Sequence, residues 1–173
     1  MNHSNRASEP PTSFVSKDIG CIALLLAVIF AISWPGMQSP LVFDDVEQME
    51  HVESFDSWHE CIGVDCYDLF RPFKNFAYHA LRDSTAIVRH GFTLSLFMLA
   101  ACAVYLLLRR LLGTSGWALT GAMLWATSPT HVSSAIWLSA FNISLSLALA
   151  CACITCHDLS RQRPGRQLGW SAL

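Results

Sequence analysis

Two adjacent carboxylates, Asp44 and Asp45, follow a long apolar run that ends near Pro35. A carboxylate beside a water-poor interface is desolvated, which raises its pKa toward the range in which it can act as a general base. Adjacent side chains do not share a face of a helix or strand. One aspartate can therefore point into a site while the other holds a backbone donor or an arginine. The alternative is an aspartate pair that only caps the loop, and the sequence does not decide which aspartate acts.

The elements that must position this pair are apolar helices. Hydrophobic residues make up 53% of the 173 residues and charged residues only 14%, whereas a soluble domain has about a quarter charged residues. A membrane-spanning helix needs about 20 mostly apolar residues. The sequence therefore predicts an all-α fold, a polytopic membrane helical bundle of about four spans near 19–36, 91–109, 111–127 and 132–156.

Three regions are predicted along the chain: a disordered leader (1–18), a membrane domain (19–156) with an outer loop (37–90), and a cytoplasmic tail (157–173). The tail contains no element that would pack, so we expect this chain to be the front part of a longer protein. The fragment alone is then expected to be inactive. A cleaved signal peptide is the alternative for the first apolar segment, because Lys17 precedes it and small residues at 31–33 form a cleavage site.

Lysines and arginines near helix ends predict the orientation. Arg109 and Arg110 follow the second span, and the arginines after the fourth span also belong on the cytoplasmic side. The outer loop is then periplasmic or lumenal, in a bacterial inner membrane or an endoplasmic reticulum. This loop carries ten of the thirteen acidic residues and only four basic ones. No basic tract indicates a nucleic-acid partner.

The outer loop is predicted to contain an interfacial helix. Residues 73–82 place Phe73, Phe76, Ala77 and Ala80 at helical spacing, which is typical of an amphipathic helix lying flat on a membrane. The same loop holds Cys61 and Cys66 in a compartment where disulfides persist. The sequence allows either a disulfide between Cys61 and Cys66 or two free thiols.

The segment CITCH at 153–157 matches a haem-attachment pattern. Covalent haem attachment takes place outside, whereas the arginines that follow place this end inside. We therefore interpret these cysteines as apolar thiols at a helix end. The same interpretation is preferred over a zinc site built from Cys151, Cys153, Cys156 and His157.

Short motifs occur in a specific order along the chain. After the first span come Phe43-Asp44-Asp45 and then RPFKNFAYHAL at 71–81; His90 opens the second long helix, which ends in LLLRRLL at 106–112, and SPTHVSSAIWLSA follows at 128–140. This order resembles the N-terminal part of GT-C class polyprenyl-phosphate-sugar-dependent glycosyltransferases. The resemblance is strongest to the tetratricopeptide-repeat-fused protein O-mannosyltransferase group.

The resemblance implies transfer of a sugar, with inversion, from a lipid-linked donor to a hydroxyl of a protein or glycan. Asp44 or Asp45 would be the base. Arg71 would bind the phosphate, since a guanidinium offers bidentate donors, and His131 and His90 would help to bind the donor. The alternatives are an ion pair for Arg71, a helix cap for His131 and simple interfacial placement for His90.

No cofactor and no metal site are implied by the resemblance. A divalent cation held by the carboxylate oxygens of Asp44 and Asp45 is the alternative. The remaining expected partners are membrane lipid and neighbouring membrane helices, since the serines and alanines after Ser133 would let helices approach closely.

Several polar positions of the resembled family are replaced in this chain. Family members are also longer, with more spans and a soluble repeat domain. The second hypothesis is therefore a non-catalytic membrane module that keeps the scaffold and packs with partner helices. The replaced positions are occupied here by Thr93, Phe97, Ser128, Ser133, Phe141 and Ile143.

Overall fold

The computed structural model describes residues 12–41 and 44–161, without the side chains of residues 12–15. Residues 1–11 of the predicted leader and most of the predicted tail lie outside this range, as does Phe43. The described part of the leader is helical, because the first helix begins at Thr12. The last helix continues to Arg161, beyond the predicted end of the fourth span.

Within the described residues the regular elements are helices, as the sequence predicts. The α-helices are α1 (Thr12–Ser33), α2 (Asp44–Glu53), α3 (Pro72–Leu81), α4 (Ala86–Leu112), α5 (Ser115–Ala126), α6 (Pro129–Ile136) and α7 (Phe141–Arg161). Short 3-10 helices occupy Trp34–Gly36, Trp58–Ile62 and Leu138–Ala140.

Three segments of the described chain are long and apolar enough to cross a membrane. They are Ser16–Gly36, Ala86–Leu112 and Leu138–Arg161, with 21, 27 and 24 residues. At 1.5 Å per residue, even the shortest is about 30 Å long, the thickness of a bilayer's hydrocarbon core. These segments are consistent with a multi-pass membrane protein.

Helices α4 and α7 run side by side in the same direction. The rings of Phe92 and Phe141, near the two N-terminal ends, have centroids 5.5 Å apart. Arg110 and Asp158, near the two C-terminal ends, form an ion pair. The N-terminal ends of α4 and α7 therefore lie together, and so do their C-terminal ends. The chain between them must run back from the C-terminal end of α4 to the N-terminal end of α7, and α5 and α6 form this connection.

The return path is broken rather than one continuous helix. Ser115, at the start of α5, donates a hydrogen bond to Asp18 beside Arg109, and the carbonyl of Ile136, at the end of α6, contacts His90. α5 has only 12 residues, about 18 Å, too short for the continuous third span predicted at 111–127. Pro129 starts α6 because proline is tolerated in the first turn of a helix but not in its interior.

The break between α5 and α6 lies within the bundle. Trp125, in the last turn of α5, stacks on Phe97 with ring centroids 5.2 Å apart. Phe97 lies in the middle of α4. The predicted continuous helix 132–156 is also interrupted, because Trp137 adopts an extended conformation between α6 and the turn that leads into α7.

The core between α1, α4 and α5 combines aromatic, aliphatic and small side chains. Three alanines of α5 are fully buried and allow close approach of its backbone to its neighbours (Ala118, Ala122 and Ala126). Gly36 makes another close contact: a β-carbon there would lie 2.3 Å from Cδ1 of Ile136. The 3-10 helix after α1 therefore meets α6 at a position where only glycine fits without displacement.

The outer loop forms a compact layer rather than an irregular connection. α2 and α3 pack together, and Nε2 of the buried Gln48 donates a 3.0 Å hydrogen bond to Oδ1 of the buried Asn75. The apolar core of this layer also includes a residue from the turn before α7. Its buried members are Met49, Val52, Phe55, Cys61, Tyr78 and Leu138. Leu138 therefore joins the layer to the long helices.

Candidate functional site

The acidic pair lies in the first turn of α2, and its side chains reach the junction between α6 and α7. The first turn of a helix favours negative charge because its backbone N–H groups point toward that end. Asp45 is 1% exposed, whereas Asp44 is half-buried. The two carboxylates therefore lie in different surroundings. The division of roles expected from the sequence is not found, because Asp45 both lines a cavity and accepts the backbone donors.

Asp45 accepts hydrogen bonds on both carboxylate oxygens. The hydroxyl of Tyr78 and the backbone N–H of Ser139, at 2.8 Å, both donate to Oδ1, and the backbone N–H of Leu138 donates to Oδ2 at 3.2 Å. Burial raises the pKa of Asp45 above its usual range, and the charge of Asp44 adds to this effect. The donors, chiefly Tyr78, oppose the rise without cancelling it.

Asp44 is bound by different donors. Oγ of Ser139 donates to its Oδ2 at 2.6 Å, and Nε1 of Trp137 donates to its Oδ1 at 3.1 Å. Nζ of Lys74 forms an ion pair with Oδ2 at 3.7 Å. Together the two aspartates connect α2 to α3 and to the junction that starts α7.

A cavity of about 380 Å³ lies next to Asp45 at this end of the bundle. Its volume falls in the lower part of the range for small-molecule sites. Most of the lining is apolar, with one carboxylate, one imidazole and two serines as polar groups. The lining residues are Ser39, Pro40, Asp45, His90, Ser133, Ile136 and Trp137.

His90, another predicted site residue, shares this cavity with Asp45. His90 is 2% exposed, and its ring lies between two backbone carbonyl oxygens. Nδ1 is 2.7 Å from the carbonyl of Ile136, and Nε2 is 2.8 Å from that of Ser39. A neutral imidazole donates to only one of these oxygens, and the tautomer decides which. His90 therefore ties the start of α4 to the end of α6 and to the chain after α1.

Arg71 forms the ion pair that the sequence offered as the alternative to phosphate binding. Its Nη1 is 3.3 Å from Oδ2 of the buried Asp65. Oδ1 of Asp65 accepts hydrogen bonds from the backbone N–H groups of Tyr67 and Leu69, so this carboxylate orders the loop before α3. Arg71 has no hydrogen bond or ion pair with Asp44 or Asp45 in the described part of the chain.

His131 lies at the break between α5 and α6. Its ring centroid is 5.1 Å from that of Trp125, the residue that stacks on Phe97. His131 is half-buried and is not among the residues that line the cavity beside Asp45. The structure therefore brings Asp45 and His90 together at one cavity and places Arg71 and His131 in other local environments.

Sequence reasoning missed four partners of the acidic pair: Lys74, Tyr78, Trp137 and Ser139. A signal for the first two was present, because Lys74 and Tyr78 are four residues apart and so share one face of the helix predicted at 73–82. No local pattern indicated Ser139, whose backbone and side chain reach the pair only after the turn at Leu138–Ala140 has formed.

The two outer-loop cysteines are free thiols in this structure. Cys61 is buried, and Sγ of Cys66 is 3.3 Å from Oε1 of Gln48. Burial raises the pKa of both thiols. No group of three or more His, Cys, Asp or Glu side chains that could hold a metal ion occurs among the described residues.

Comparisons with known proteins returned no match: no protein-family model, no curated protein and no solved structure corresponds to this chain. The resemblance to the glycosyltransferases described above therefore depends only on its own ordered motifs.

Proposed function

We propose that this chain is the N-terminal portion of a membrane glycosyltransferase that transfers a sugar from a polyprenyl-phosphate donor to a hydroxyl acceptor. The observation that carries the proposal is the cavity that Asp45 and His90 share. The order of motifs from Phe43 to the 128–140 junction supports it, because both residues come from that set. The acceptor is a protein or a glycan.

Asp45 is the proposed base. A general base must reach the cavity that holds the substrate, and its pKa must be close to the working pH. Asp45 lines the cavity, and its pKa is raised by burial. In the proposed reaction Asp45 takes the hydroxyl proton while the acceptor oxygen bonds to the anomeric carbon. The bond from that carbon to the phosphate oxygen breaks, and polyprenyl phosphate leaves with its electron pair.

The proposal places the outer loop on the periplasmic or lumenal side, with α3 at the membrane surface. The pattern of exposed and buried residues in α3 supports its position at the membrane surface. On a soluble protein a helix exposes its polar residues and buries its apolar ones, whereas α3 does the opposite. Its polar residues Lys74, Asn75 and His79 are buried, whereas Phe73 is 78% exposed. Only Arg82–Thr85 separate α3 from α4, a helix long enough to span. Bilayer lipid would cover the apolar face of α3.

The Asp45→Asn variant tests the proposed base. In the protein encoded by the complete reading frame, we expect sugar transfer to fall by about 100-fold or more. Asparagine keeps the size of the side chain but cannot accept the proton. Glu50→Gln is the matched control, since Glu50 is an exposed acid of the same helix, and it should keep normal transfer. Normal turnover in Asp45→Asn would exclude Asp45 as the base.

A second function is favoured by a specific observation. Every carboxylate oxygen of the acidic pair already has a protein donor, as expected if the pair only joins α2 and α3 to the α7 junction. In that case the chain is a non-catalytic membrane module. Asp45→Asn would then increase hydrogen exchange in α2 and α3, while the unmodified protein would show no sugar transfer with any lipid-linked donor.

A further inference from the structure

Lys74 carries a buried ammonium group without a hydrogen bond. Its side chain is 3% exposed, and Nζ has no hydrogen-bond partner. The nearest opposite charge is Oδ2 of Asp44, at 3.7 Å, a distance at which the two groups attract without forming a good hydrogen bond. A buried charge is costly unless it is paired and hydrogen-bonded. This arrangement therefore indicates a role beyond packing.

Two aromatic rings flank the ammonium group. Nζ is 5.7 Å from the ring centroids of both Tyr67 and Tyr78. An ammonium within about 6 Å of a ring is attracted by the electron density of the ring. Tyr78 also donates its hydroxyl hydrogen bond to Asp45. Lys74 is therefore connected to both aspartates, directly to Asp44 and through the ring of Tyr78 to Asp45.

The other charged and titratable groups around Lys74 are mostly acidic. From α2, Glu47 accepts a hydrogen bond from the hydroxyl of Tyr67. From the loop before α3, Cys66 interacts electrostatically with Lys74, and Asp65 is already paired with Arg71. The α7 junction contributes only the uncharged Trp137 and Ser139 to Asp44. Within this set, Lys74 supplies the positive charge that Asp44 pairs with.

We propose that Lys74 is a positioning residue that allows Asp44 and Asp45 to be negatively charged at the same time, so that Asp45 is free to accept a proton. The charge of one carboxylate raises the pKa of a carboxylate close to it, and the charge of Asp44 has this effect on Asp45. Lys74 offsets the charge of Asp44 and orients Tyr78 toward Asp45. This inference rests on the proposed function for its consequence in catalysis.

Lys74→Met tests the inference, because methionine keeps most of the side-chain length and removes the charge. Without Lys74, the full charge of Asp44 acts on Asp45 and raises the pKa of Asp45 further. Transfer requires ionised Asp45, so its loss on acidification should begin at higher pH. We expect the acid limb of the pH–rate profile to move up by about one pH unit. Lys74→Arg restores a positive charge and should return the limb toward its original position.

A second measurement does not depend on catalysis. The infrared absorption of the protonated carboxyl groups, followed against pH in the reconstituted protein, should show the same upward shift in Lys74→Met and its reversal in Lys74→Arg. Asp45→Asn identifies the signal. Arg71→Met is the control, because it removes a positive charge from the same end of α3. Arg71 pairs with Asp65 rather than with the acidic pair, so the pH at which the Asp45 signal titrates should not change.

The two measurements separate the possible failures. If Lys74→Met shifts the carboxyl titration but the unmodified protein transfers no sugar, the role of Lys74 is supported and the proposed function is contradicted. An unchanged carboxyl titration in a folded Lys74→Met protein would overturn the role of Lys74, whether or not the protein transfers sugar. If Lys74→Met does not fold, Lys74→Gln provides the same comparison with a polar side chain.

Discussion

At the scale of single residues, the surroundings of Asp45 combine two opposing effects. Burial disfavours its charge, whereas Tyr78 and the backbone N–H groups of Leu138 and Ser139 favour it. Burial prevails, so that the pKa of Asp45 is raised. A carboxylate in this state releases its proton less readily than an exposed one but accepts a proton more readily, as a general base requires.

The hydrogen bond from Tyr78 should therefore contribute to stability in a pH-dependent way. Tyr78→Phe keeps the ring and removes the donor, and we expect the unfolding free energy to fall by about 1.5–3 kcal/mol when Asp45 is ionised. Because this donor lowers the pKa of Asp45, its contribution is present above that pKa and declines as the pH falls through it. Thermal unfolding in detergent at several pH values measures the effect.

Tyr67→Phe is the matched control for Tyr78→Phe. The Tyr67 hydroxyl also donates to a carboxylate, that of Glu47, but this pair is exposed to solvent. Water can replace the lost donor there, so the expected loss of stability is smaller than that of Tyr78→Phe. Equal effects of the two variants at every pH would contradict the description of Asp45 as a buried, ionisable acceptor.

At the scale of elements, α3 presents its polar face to the protein and its apolar face outward. The spacing of Phe73, Phe76, Ala77 and Ala80 predicted an amphipathic helix at 73–82, and the structure has α3 at Pro72–Leu81. The periodicity did not predict that the polar face of α3 would pack against the protein. That face holds Lys74 and Tyr78, which bind the acidic pair, and this binding fixes which side of α3 points outward.

The outward face of α3 should contact lipid. Phe73→Trp introduces a fluorescent side chain at the most exposed aromatic position of the helix, and we expect lipids with brominated acyl chains to quench it strongly. Phe55→Trp is a control on the inner side of the same layer, since Phe55 is 9% exposed. The native tryptophans must first be replaced by phenylalanine in both proteins. Equal, weak quenching at both positions would exclude an interfacial α3.

At the scale of the whole molecule, α1 is an integral part of the bundle. Oδ1 of Asp18 accepts hydrogen bonds from the hydroxyl of Tyr105 at 2.6 Å, Nε of Arg109 at 3.0 Å and Oγ of Ser115 at 2.6 Å. At the other end of α1, Ser33 is fully buried. These contacts link α1 to both α4 and α5, and they favour a retained helix over the cleaved signal peptide that the sequence also allowed.

Retention of the first segment is a direct prediction. Intact-mass measurement of the membrane-inserted protein should find residues 12–33 still attached, because cleavage after Ser33 would remove the partners of Arg109 and Tyr105 and expose the core face of α5. Asp18→Asn should keep the segment but lower the melting temperature, since Arg109 would lose its carboxylate. A mature protein that begins at Trp34 would contradict this prediction.

The sequence by itself determined the helical class, the three long apolar segments and the position of the acidic pair directly after the first of them. These features depend on local composition and on helix periodicity, which can be read without knowledge of distant contacts. The short helix in the outer loop was predictable for the same reason. The sequence also separated the segments 111–127 and 132–156, and the chain does break there, between α5 and α6. The second break, at Trp137, was not predicted.

Only the tertiary structure decided which residues surround Asp44 and Asp45. Ser139 and Trp137 lie more than 90 positions away along the chain, and they reach the pair because α6 ends and the chain turns at Leu138–Ala140. Arg71, expected to bind the donor phosphate, is paired with Asp65, and Lys74 is the cation beside Asp44. Such choices depend on the direction in which each helix face points, and distant packing determines that direction.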